Sequence, residues 1–245
     1  MIRIVAAAAF ALAAAPAPAE EVRYEVGGET FVGWFEGVDA PRGLVLIVHD
    51  WDGLTDYEKR RAGMLAEMGY DAFAVDLFGP DTPTETMEHR RAATGALYGD
   101  RARMRALLEG GLVAARVAST AESVVAMGYC FGGAAVLEMA RGGLGDDVEG
   151  YATFHGGLST PEGQGYSSDT PPILVMHGGA DSSITMDDVA ALSRELEGAE
   201  TTYEIQVYSG APHAFTVFGS DRYQERADIE SWEAFSDFLE TRLGG

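Results

Sequence analysis

Residues 128–133, Gly-Tyr-Cys-Phe-Gly-Gly, constrain the fold of this chain more than any other stretch. They follow an apolar run of strand type, 123–127, and precede a run of small and aliphatic residues, 134–140, that favours a helix. The pattern therefore predicts a strand, a tight glycine-rich turn and a helix around Cys130, the only cysteine in the sequence. Gly-x-Cys-x-Gly in such a turn is a nucleophile elbow with sulfur in place of the usual serine oxygen. Cys130 is accordingly the candidate nucleophile.

Strand-like and helix-like segments alternate along the rest of the chain. Largely apolar runs of strand length occur at 44–48, 70–77, 148–154 and 173–177. Such runs favour strands that are buried on both faces of a parallel sheet. Strands that alternate with helices predict an α/β fold with a mostly parallel central sheet and helices on both faces. Because no repeat or linker interrupts the pattern, we interpret residues 20–245 as a single domain without a large cap domain.

The N-terminal segment, residues 1–19, is typical of a secretory signal peptide. Arg3 precedes an apolar, alanine-rich run at 4–15, and Ala17-Pro18-Ala19 resembles a small-residue cleavage site. The run is shorter than the ~20 residues that a transmembrane helix needs. We expect cleavage after Ala19 and a periplasmic or secreted product, with an uncleaved terminal segment as the alternative.

The charge balance of the chain is strongly acidic. Its 17 Lys and Arg residues face 39 Asp and Glu residues, which gives a net charge of −22 at pH 7. This charge disfavours nucleic acid and anionic membranes as partners. An anionic substrate would need local basic residues to overcome it. We expect a small-molecule substrate, and the sequence leaves the oligomeric state open, with a monomer slightly favoured.

A base and an orienting acid for the thiol are available further along the chain. A thiol nucleophile needs both. The order nucleophile, acid, histidine is met by Cys130, Asp181 and His213, each of which follows a predicted strand. Because ligands in such folds bind at the carboxyl ends of the strands, we expect the three side chains to meet there. His213 would take the thiol proton and Asp181 would fix the histidine tautomer. Taken singly, Asp181 could equally be a turn residue and His213 a loop histidine.

Backbone N–H groups near Cys130 are expected to form an oxyanion hole. One belongs to Phe131, at the start of the elbow helix, and the other to Trp51, in the loop after the 44–48 strand. The helix N-terminus also favours a thiolate. Tyr129 is a further candidate for contact with the substrate. The five histidines are scattered without a closely spaced pair, so the sequence predicts no zinc site.

These motifs resemble those of the dienelactone hydrolase family of α/β-hydrolases. The matching segments are HDWDGL at 49–54, GYCFGG at 128–133, FHGG at 154–157, HGGAD at 177–181 and PHAF at 212–215. The resemblance implies an α/β-hydrolase fold and a Cys–His–Asp triad that acts on esters or lactones. It also implies that neither a metal nor a cofactor takes part.

Two positions depart from the family pattern. The family carries a glutamate that contacts the resting thiol and helps to activate it, whereas this chain has the shorter Asp50. Asp50 therefore either gates the thiol or only braces its loop. Enzymes similar to the true dienelactone hydrolase have an arginine four residues after the histidine, where this chain has Val217. Substrate-binding candidates in the helical segment are Arg90, Arg91 and Arg101.

The expected function is hydrolysis of small-molecule carboxylic esters or lactones through an acyl-enzyme on Cys130. One alternative is a true dienelactone hydrolase, or carboxymethylenebutenolidase, acting on an anionic enol-lactone. Another is a noncatalytic small-molecule binding protein on the same fold. A redox-sensing thiol is a third, although the sequence contains no second cysteine to resolve an oxidised one.

Overall fold

The computed structural model describes residues 19–244. The expected signal peptide, apart from Ala19, lies outside the described residues. The elements in chain order are β1 (Glu20–Val26), β2 (Glu29–Glu36), β3 (Leu44–Val48), α1 (Asp56–Glu67), β4 (Asp71–Val75), α2 (Met87–Gly99), α3 (Arg101–Ala118), β5 (Val124–Tyr129), α4 (Phe131–Gly142), β6 (Val148–Phe154), β7 (Ile173–Gly178), α5 (Met186–Gly198), β8 (Tyr203–Tyr208) and α6 (Glu225–Leu243).

All of these strands belong to one eight-stranded sheet with the order β1-β2-β4-β3-β5-β6-β7-β8. β1 and β2 form an antiparallel hairpin whose two-residue turn, Gly27 and Gly28, has φ angles of 61° and 84° that suit glycine. β2 is also antiparallel to β4. Every neighbouring pair from β4 to β8 is parallel. The mostly parallel sheet of an α/β-hydrolase fold, predicted from the alternation of elements, is thus confirmed.

The hydrophobic core lies in two layers, one on each face of the sheet. All five residues of β3 are buried, and successive side chains of a strand point to opposite faces. Leu44, Leu46 and Val48 therefore belong to one core cluster, and Val45 and Ile47 to the other. Helices α2 to α5 contribute to the first cluster, and α1 and α6 to the second. This two-sided burial explains why β3 is continuously apolar in sequence.

The loops that follow β3 and β7 are each closed by a reciprocal capping contact at the start of the next helix. At α1, the Thr55 N–H donates to Glu58 Oε2 over 2.8 Å. At α5, the Thr185 N–H donates to Asp188 Oδ2 over 2.7 Å. Such capping satisfies N–H groups that lack an intrahelical partner, and each cap contributes about 1 kcal/mol. The two loops therefore enter their helices in a defined geometry at the carboxyl edge of the sheet.

The connections above this edge contain no separate cap within residues 19–244. The largest insertion is the helical pair α2 and α3 between β4 and β5. The segment 155–172 between β6 and β7 is a loop, in accord with its Gly, Ser and Pro content. None of the helices among the described residues combines the length and the apolar character needed to cross a bilayer.

Candidate active site

Cys130 occupies a strained turn between β5 and α4. Its φ of 50° and ψ of −109° are rare for a residue other than glycine. The conformation is held from both sides of the residue, since the Cys130 N–H donates to Phe154 O over 3.1 Å and Gly157 N–H donates to Cys130 O over 3.4 Å. Backbone strain of this kind persists where the surrounding structure enforces it, and it is concentrated at functional sites. The turn leaves the thiol only partly buried at the carboxyl end of β5.

The glycines of the elbow are required by close backbone approach. A Cβ atom on Gly128 would overlap the backbone of Gly132, and one on Gly132 would overlap the carbonyl oxygen of Val48. A Cβ atom on Gly133 would overlap Thr153 Oγ1. The start of α4 is therefore packed directly against the end of β3, which brings the loop after β3 beside the thiol.

The structure brings the three predicted side chains together. Cys130 Sγ lies 3.1 Å from His213 Nε2, and His213 Nδ1 lies 2.7 Å from Asp181 Oδ2. The other carboxylate oxygen, Asp181 Oδ1, accepts from the N–H groups of Ser183 (2.8 Å) and Ile184 (3.0 Å). Burial acts to raise the pKa of Asp181, but the hydrogen bonds from His213 and from the backbone outweigh it and hold this pKa below its ordinary value. An ionised Asp181 fixes the hydrogen of His213 on Nδ1 and leaves Nε2 free to accept the thiol proton.

Cys130 is a neutral thiol at neutral pH. Burial is the main cause that raises the pKa of Cys130 to about 12, and the carboxylates of Asp50, Asp181 and Asp52 act in the same direction. The backbone N–H of Phe131 opposes them by favouring the thiolate. At neutral pH the thiol consequently donates a hydrogen bond to His213 Nε2, and thiolate forms only as the proton is transferred.

Asp50 braces the loop after β3. Its Oδ1 accepts from the N–H of Asp52 over 3.1 Å, and its own N–H points to Glu58 Oε1 at 3.5 Å. No hydrogen bond joins it to the Cys130 thiol within the described part of the chain. Burial first, then the nearby Asp52 and Glu58, raise the pKa of Asp50 to about 9. Asp50 is therefore mainly protonated at neutral pH, and its charge opposes thiolate formation only in alkaline solution.

His49 orients the peptide bond that carries the second expected oxyanion donor. The Leu77 N–H donates to His49 Nε2 over 3.1 Å, so the ring hydrogen must lie on Nδ1, which donates to Asp50 O over 2.6 Å. Burial lowers the pKa of His49, which keeps the ring neutral. In a trans peptide the C=O and N–H point in opposite directions. Holding the Asp50 carbonyl therefore turns the Trp51 N–H the other way, and among residues 19–244 no backbone carbonyl accepts from it.

Tyr98 is a site residue that sequence reasoning missed. Its ring meets the ring of Phe131 edge-on at a centroid distance of 5.4 Å. Burial and the nearby Cys130 thiol together raise the pKa of the Tyr98 hydroxyl to about 12. The Tyr98 hydroxyl is therefore protonated at neutral pH and lies near Cys130. No motif marks it, because it depends on how α2 packs over the elbow.

Arg90 is the one predicted arginine that contacts the expected oxyanion loop. Its guanidinium carbon lies 5.6 Å from the centre of the Trp51 ring, and Nη1 lies 3.8 Å from an oxygen of Asp52. Nε donates to Thr84 O over 2.6 Å. Arg90 thus stands at the rim of the site with its charge partly balanced by Asp52.

The other two arginines are placed differently. Arg101 Nη1 lies 3.4 Å from the buried carboxylate of Glu138, and its guanidinium stacks on the Tyr98 ring at 4.7 Å. Arg91 is exposed on α2, and its guanidinium forms no hydrogen bond or ion pair with the described residues. Arg101 can act on the site only through Tyr98, and no contact connects Arg91 to it.

Tyr129 does not line the pocket, which corrects the expectation from sequence. Its side chain is fully buried, and its ring lies 5.0 Å from the ring of Tyr57 and 4.9 Å from that of Phe154. Successive side chains of β5 point to opposite faces, so the residue before the turn enters the core layer beneath α1 and α6. Tyr129 therefore packs under the site and cannot touch a substrate.

Two further buried histidines make hydrogen bonds that support the loops of the site. His177 Nε2 lies 3.1 Å from Ile184 O, beside the loop of Asp181. His155 Nε2 lies 2.8 Å from Thr216 Oγ1, in the loop of His213. Residues 19–244 contain no group of three or more His, Cys, Asp or Glu side chains that could hold a metal ion.

Known proteins are similar to this chain over most of its length. Residues 32–243 match the model of the dienelactone hydrolase family. The crystal structure of a dienelactone hydrolase-like promiscuous phosphotriesterase from metagenomic libraries is 29% identical, with a TM-score of 0.83, and the match covers 92% of this chain and 98% of that one. A protein of Escherichia coli (strain K12), provisionally named carboxymethylenebutenolidase, is 26% identical over 216 residues, 84% of this chain and 79% of its own. An α/β-hydrolase enzyme from a Medee basin deep-sea metagenome library shares the fold at 14% identity and a TM-score of 0.66, over 93% of this chain and 99% of that one.

Proposed function

We propose that this chain, which belongs to the dienelactone hydrolase family, hydrolyses carboxylic esters or lactones of small molecules through a thioester on Cys130. The observation that carries the proposal is the pair of contacts at the elbow. Cys130 Sγ lies 3.1 Å from His213 Nε2, and His213 Nδ1 lies 2.7 Å from Asp181. A nucleophile, a base and an orienting acid within hydrogen-bond reach are the components of acyl transfer.

In the first step, the substrate carbonyl oxygen lies between the N–H groups of Phe131 and Trp51. As the Cys130 sulfur bonds to the carbonyl carbon, the thiol proton passes to His213 Nε2 and the C=O electron pair moves onto oxygen. The two N–H groups stabilise that negative charge, and Asp181 stabilises the imidazolium. The tetrahedral adduct collapses, the C–O bond breaks, and the leaving alkoxide takes the proton from His213.

In the second step, water attacks the thioester carbon while it gives a proton to His213 Nε2. The C–S bond then breaks, the Cys130 thiolate recovers the proton, and the carboxylic acid is released. Thiolate is a better leaving group than an amine nitrogen, so an adduct with an amide would return to reactants. A thiol nucleophile therefore favours esters and lactones over peptides.

The charges around the thiol favour a neutral substrate. Asp181 and Asp52 raise the pKa of Cys130 through their negative charge. The charged side chains that mainly shift this pKa are all acidic. Val217 supplies no charge, and Arg101 is paired with Glu138. These contacts support a general carboxylesterase or lactonase over a hydrolase of anionic enol-lactones. Arg90, at the rim, is the residue on which an anionic substrate would have to rely.

A neutral phosphotriester is a second candidate substrate. The support is the related phosphotriesterase, which matches 92% of this chain at 29% identity. The Cys130 sulfur would attack phosphorus as its proton passes to His213, while the phosphoryl oxygen occupies the space between Phe131 and Trp51. One P–O ester bond would break and its alkoxide would take the proton from His213, after which water would hydrolyse the S–P bond. A phosphotriester therefore belongs in the substrate panel beside the carboxylic esters.

The test compares wild-type protein with Cys130→Ala and Cys130→Ser on p-nitrophenyl esters, neutral lactones, anionic lactones of matched size and a phosphotriester. We expect Cys130→Ala to lose turnover of every substrate that the wild type accepts, with an unchanged far-UV circular dichroism spectrum. A covalent acyl group on Cys130, detected by intact mass after rapid acid quench, would support the thioester directly. Full activity of Cys130→Ala would refute the proposal. Binding of these compounds without any turnover by wild-type protein would favour a noncatalytic binding protein instead.

A further inference from the structure

Thr216 connects the loop of His213 to two distant parts of the fold. It lies three residues after His213 and is fully buried. Its Oγ1 lies 2.7 Å from the Tyr57 hydroxyl and 2.8 Å from His155 Nε2. Its carbonyl oxygen accepts from Arg61 Nη2 over 3.0 Å. Tyr57 and Arg61 belong to α1, whereas His155 follows β6, so Thr216 links the loop to both elements.

The Thr216 hydroxyl lies between two polar partners, the Tyr57 hydroxyl and His155 Nε2. Arg61 can only donate, and its Nε lies 3.3 Å from the Tyr57 oxygen. In the arrangement that uses the Tyr57 hydrogen, it points to Thr216 Oγ1 and the Thr216 hydrogen points to His155 Nε2. Burial, and next the charge of His213, hold the pKa of His155 well below its ordinary value, so the ring is neutral and able to accept. Thr216 therefore uses its hydroxyl both as an acceptor and as a donor, which valine cannot do.

The far end of this network is anchored by a buried ion pair. Arg61 pairs with Asp228 of α6, and both side chains are almost fully buried. Asp228 also accepts from the Tyr223 hydroxyl over 3.2 Å. Removal of one partner from such a buried pair is strongly destabilising, so the anchor does not shift easily. Any displacement of the His213 loop thus has to break contacts to a rigid part of the core.

The loop itself needs this support because its backbone is strained. Ala214, directly after His213, has a φ of 63°, and His155 has a φ of 41°. Neither is a glycine, so both conformations cost energy and depend on surrounding contacts. The rings of His155 and His213 meet edge-on at a centroid distance of 5.3 Å. Asp181 contacts the imidazole of His213 from one side, and the Thr216 network braces its loop from the other.

We propose that Thr216 is a positioning residue, which holds His213 at its distance from Cys130 through the buried hydrogen bonds to Tyr57, His155 and Arg61. This inference rests on the proposed function in one respect, namely that His213 is the base for the thiol. Thr216 touches neither Cys130 nor the space that the substrate carbonyl would occupy. Its effect is exerted through the backbone of the loop that carries His213.

The matched variants are Thr216→Val, which keeps the shape and removes the hydroxyl, and Thr216→Ser, which keeps the hydroxyl. A shift of about 1 Å in a reacting group costs about a hundredfold in rate, so partial loss of this brace should lower kcat roughly tenfold to a hundredfold in Thr216→Val. KM for a p-nitrophenyl ester should remain within about twofold, because substrate contacts are unchanged. Thr216→Ser should recover kcat to within about threefold of wild type. A kcat of Thr216→Val within twofold of wild type, or equal losses in the Val and Ser variants, would overturn the proposal.

Alkylation of Cys130 by iodoacetamide at pH 7.5 provides a readout that needs no substrate. A displaced His213 accepts the thiol proton less well, so Thr216→Val should be alkylated at least about fivefold more slowly than wild type and Thr216→Ser at nearly the wild-type rate. Equal alkylation rates in all three proteins would contradict the positioning role. If Cys130→Ala retained hydrolase activity, the proposed function would fail, and the alkylation rates would still decide the role of Thr216.

A double-mutant cycle with Tyr57→Phe separates a network from a local packing effect. If Tyr57 acts on His213 through Thr216, the combined Tyr57→Phe and Thr216→Val protein should lose little more kcat than Thr216→Val alone. If instead the kcat loss of the double variant equals the product of the two single losses, the two side chains act independently and the network is overturned. Thermal melting of each variant identifies any loss that comes from unfolding, since a purely structural role would lower Tm without lowering kcat below the melting range.

Discussion

Replacement of His49 tests the oxyanion hole that we propose between the N–H groups of Phe131 and Trp51. His49 accepts from the Leu77 N–H and donates to the Asp50 carbonyl, which turns the Trp51 N–H away from that carbonyl. His49→Leu removes both contacts. His49→Asn removes the contact to Leu77, but its amide nitrogen occupies nearly the position of Nδ1 and can still donate to the Asp50 carbonyl. The two variants therefore differ in the one hydrogen bond that orients the Asp50–Trp51 peptide.

The expected loss of kcat depends on the Trp51 N–H of this peptide, which we propose as an oxyanion donor. Loss of one oxyanion donor costs about a hundredfold to a thousandfold in kcat, or about 2.7–4 kcal/mol. In His49→Leu the Trp51 N–H is disordered rather than deleted, so we expect a loss of roughly tenfold to a hundredfold. His49→Asn should stay within about fivefold of wild type. Both variants leave the buried Leu77 N–H without an acceptor, which costs about 1–3 kcal/mol of stability in each.

The assay is steady-state hydrolysis of a p-nitrophenyl ester, with thermal melting on the same samples. The expected result is similar Tm values for the two variants and a clear difference in kcat, with little change in KM. Equal kcat in His49→Leu and His49→Asn would refute the argument that this hydrogen bond orients the oxyanion donor. A kcat loss that follows Tm in both variants would show that His49 only stabilises the loop.

Four further predictions concern the acids of the site and the terminus. Asp181→Asn should lower kcat by at least about a thousandfold with little change in KM. The variant no longer fixes the hydrogen of His213 on Nδ1, and it lacks the negative charge that stabilises the imidazolium. Because the pKa of Asp181 is lowered in the folded state, its contribution to stability is present above its unfolded-state pKa of ~3.9 and is lost as pH falls through the lower folded value. A Tm series from pH 6 to pH 2 on wild type and Asp181→Asn should therefore show a smaller fall of Tm at acid pH in the variant. Asp50 should give the opposite pH dependence of stability, because its pKa of about 9 favours the protonated folded state. Stability should fall as pH rises from ~4 towards 9, and Asp50→Asn should flatten this part of the Tm profile. Parallel Tm profiles in wild type and variant would contradict burial as the cause of the raised pKa. We also propose export, so protein recovered from the periplasm or medium of a bacterial host should begin at Glu20 by N-terminal sequencing, and an intact Met1 there would contradict cleavage after Ala19.

The placement of Cys130, Asp181 and His213 could be anticipated from the sequence because it depends on topology. Parallel strands end at the same edge of the sheet, so residues that directly follow such strands converge whatever the exact helix packing. The sequence therefore indicates these three residues as one candidate site without any knowledge of distances. Their catalytic roles remain predictions until the variants are measured.

Residues on helices and in the core beneath the site were harder to place. Tyr98 lies near the thiol only because α2 packs against Phe131 at the elbow, which no local pattern specifies. Tyr129 was expected in the pocket because it adjoins Cys130 in sequence, yet strand parity sends it into the opposite core layer. Thr216 and Arg61 are hydrogen-bonded although they lie 155 positions apart in the sequence. Such contacts depend on tertiary packing, so a single sequence carries little signal for them.

Taken together, the hydrogen bonds imply that two neutral, buried histidines position the reacting groups without taking part in proton transfer. His49 acts on the Trp51 N–H through the Asp50 carbonyl, and His155 acts on the loop of His213 through Thr216. Burial lowers the pKa of both rings. A charged ring would donate from both nitrogens. At His49 this would break the bond from the Leu77 N–H, whereas at His155 it would reverse the bond to Thr216, because a hydroxyl oxygen can also accept. The burial of His49 therefore serves the site directly, because it protects the neutral state in which the ring accepts from Leu77 and donates to Asp50.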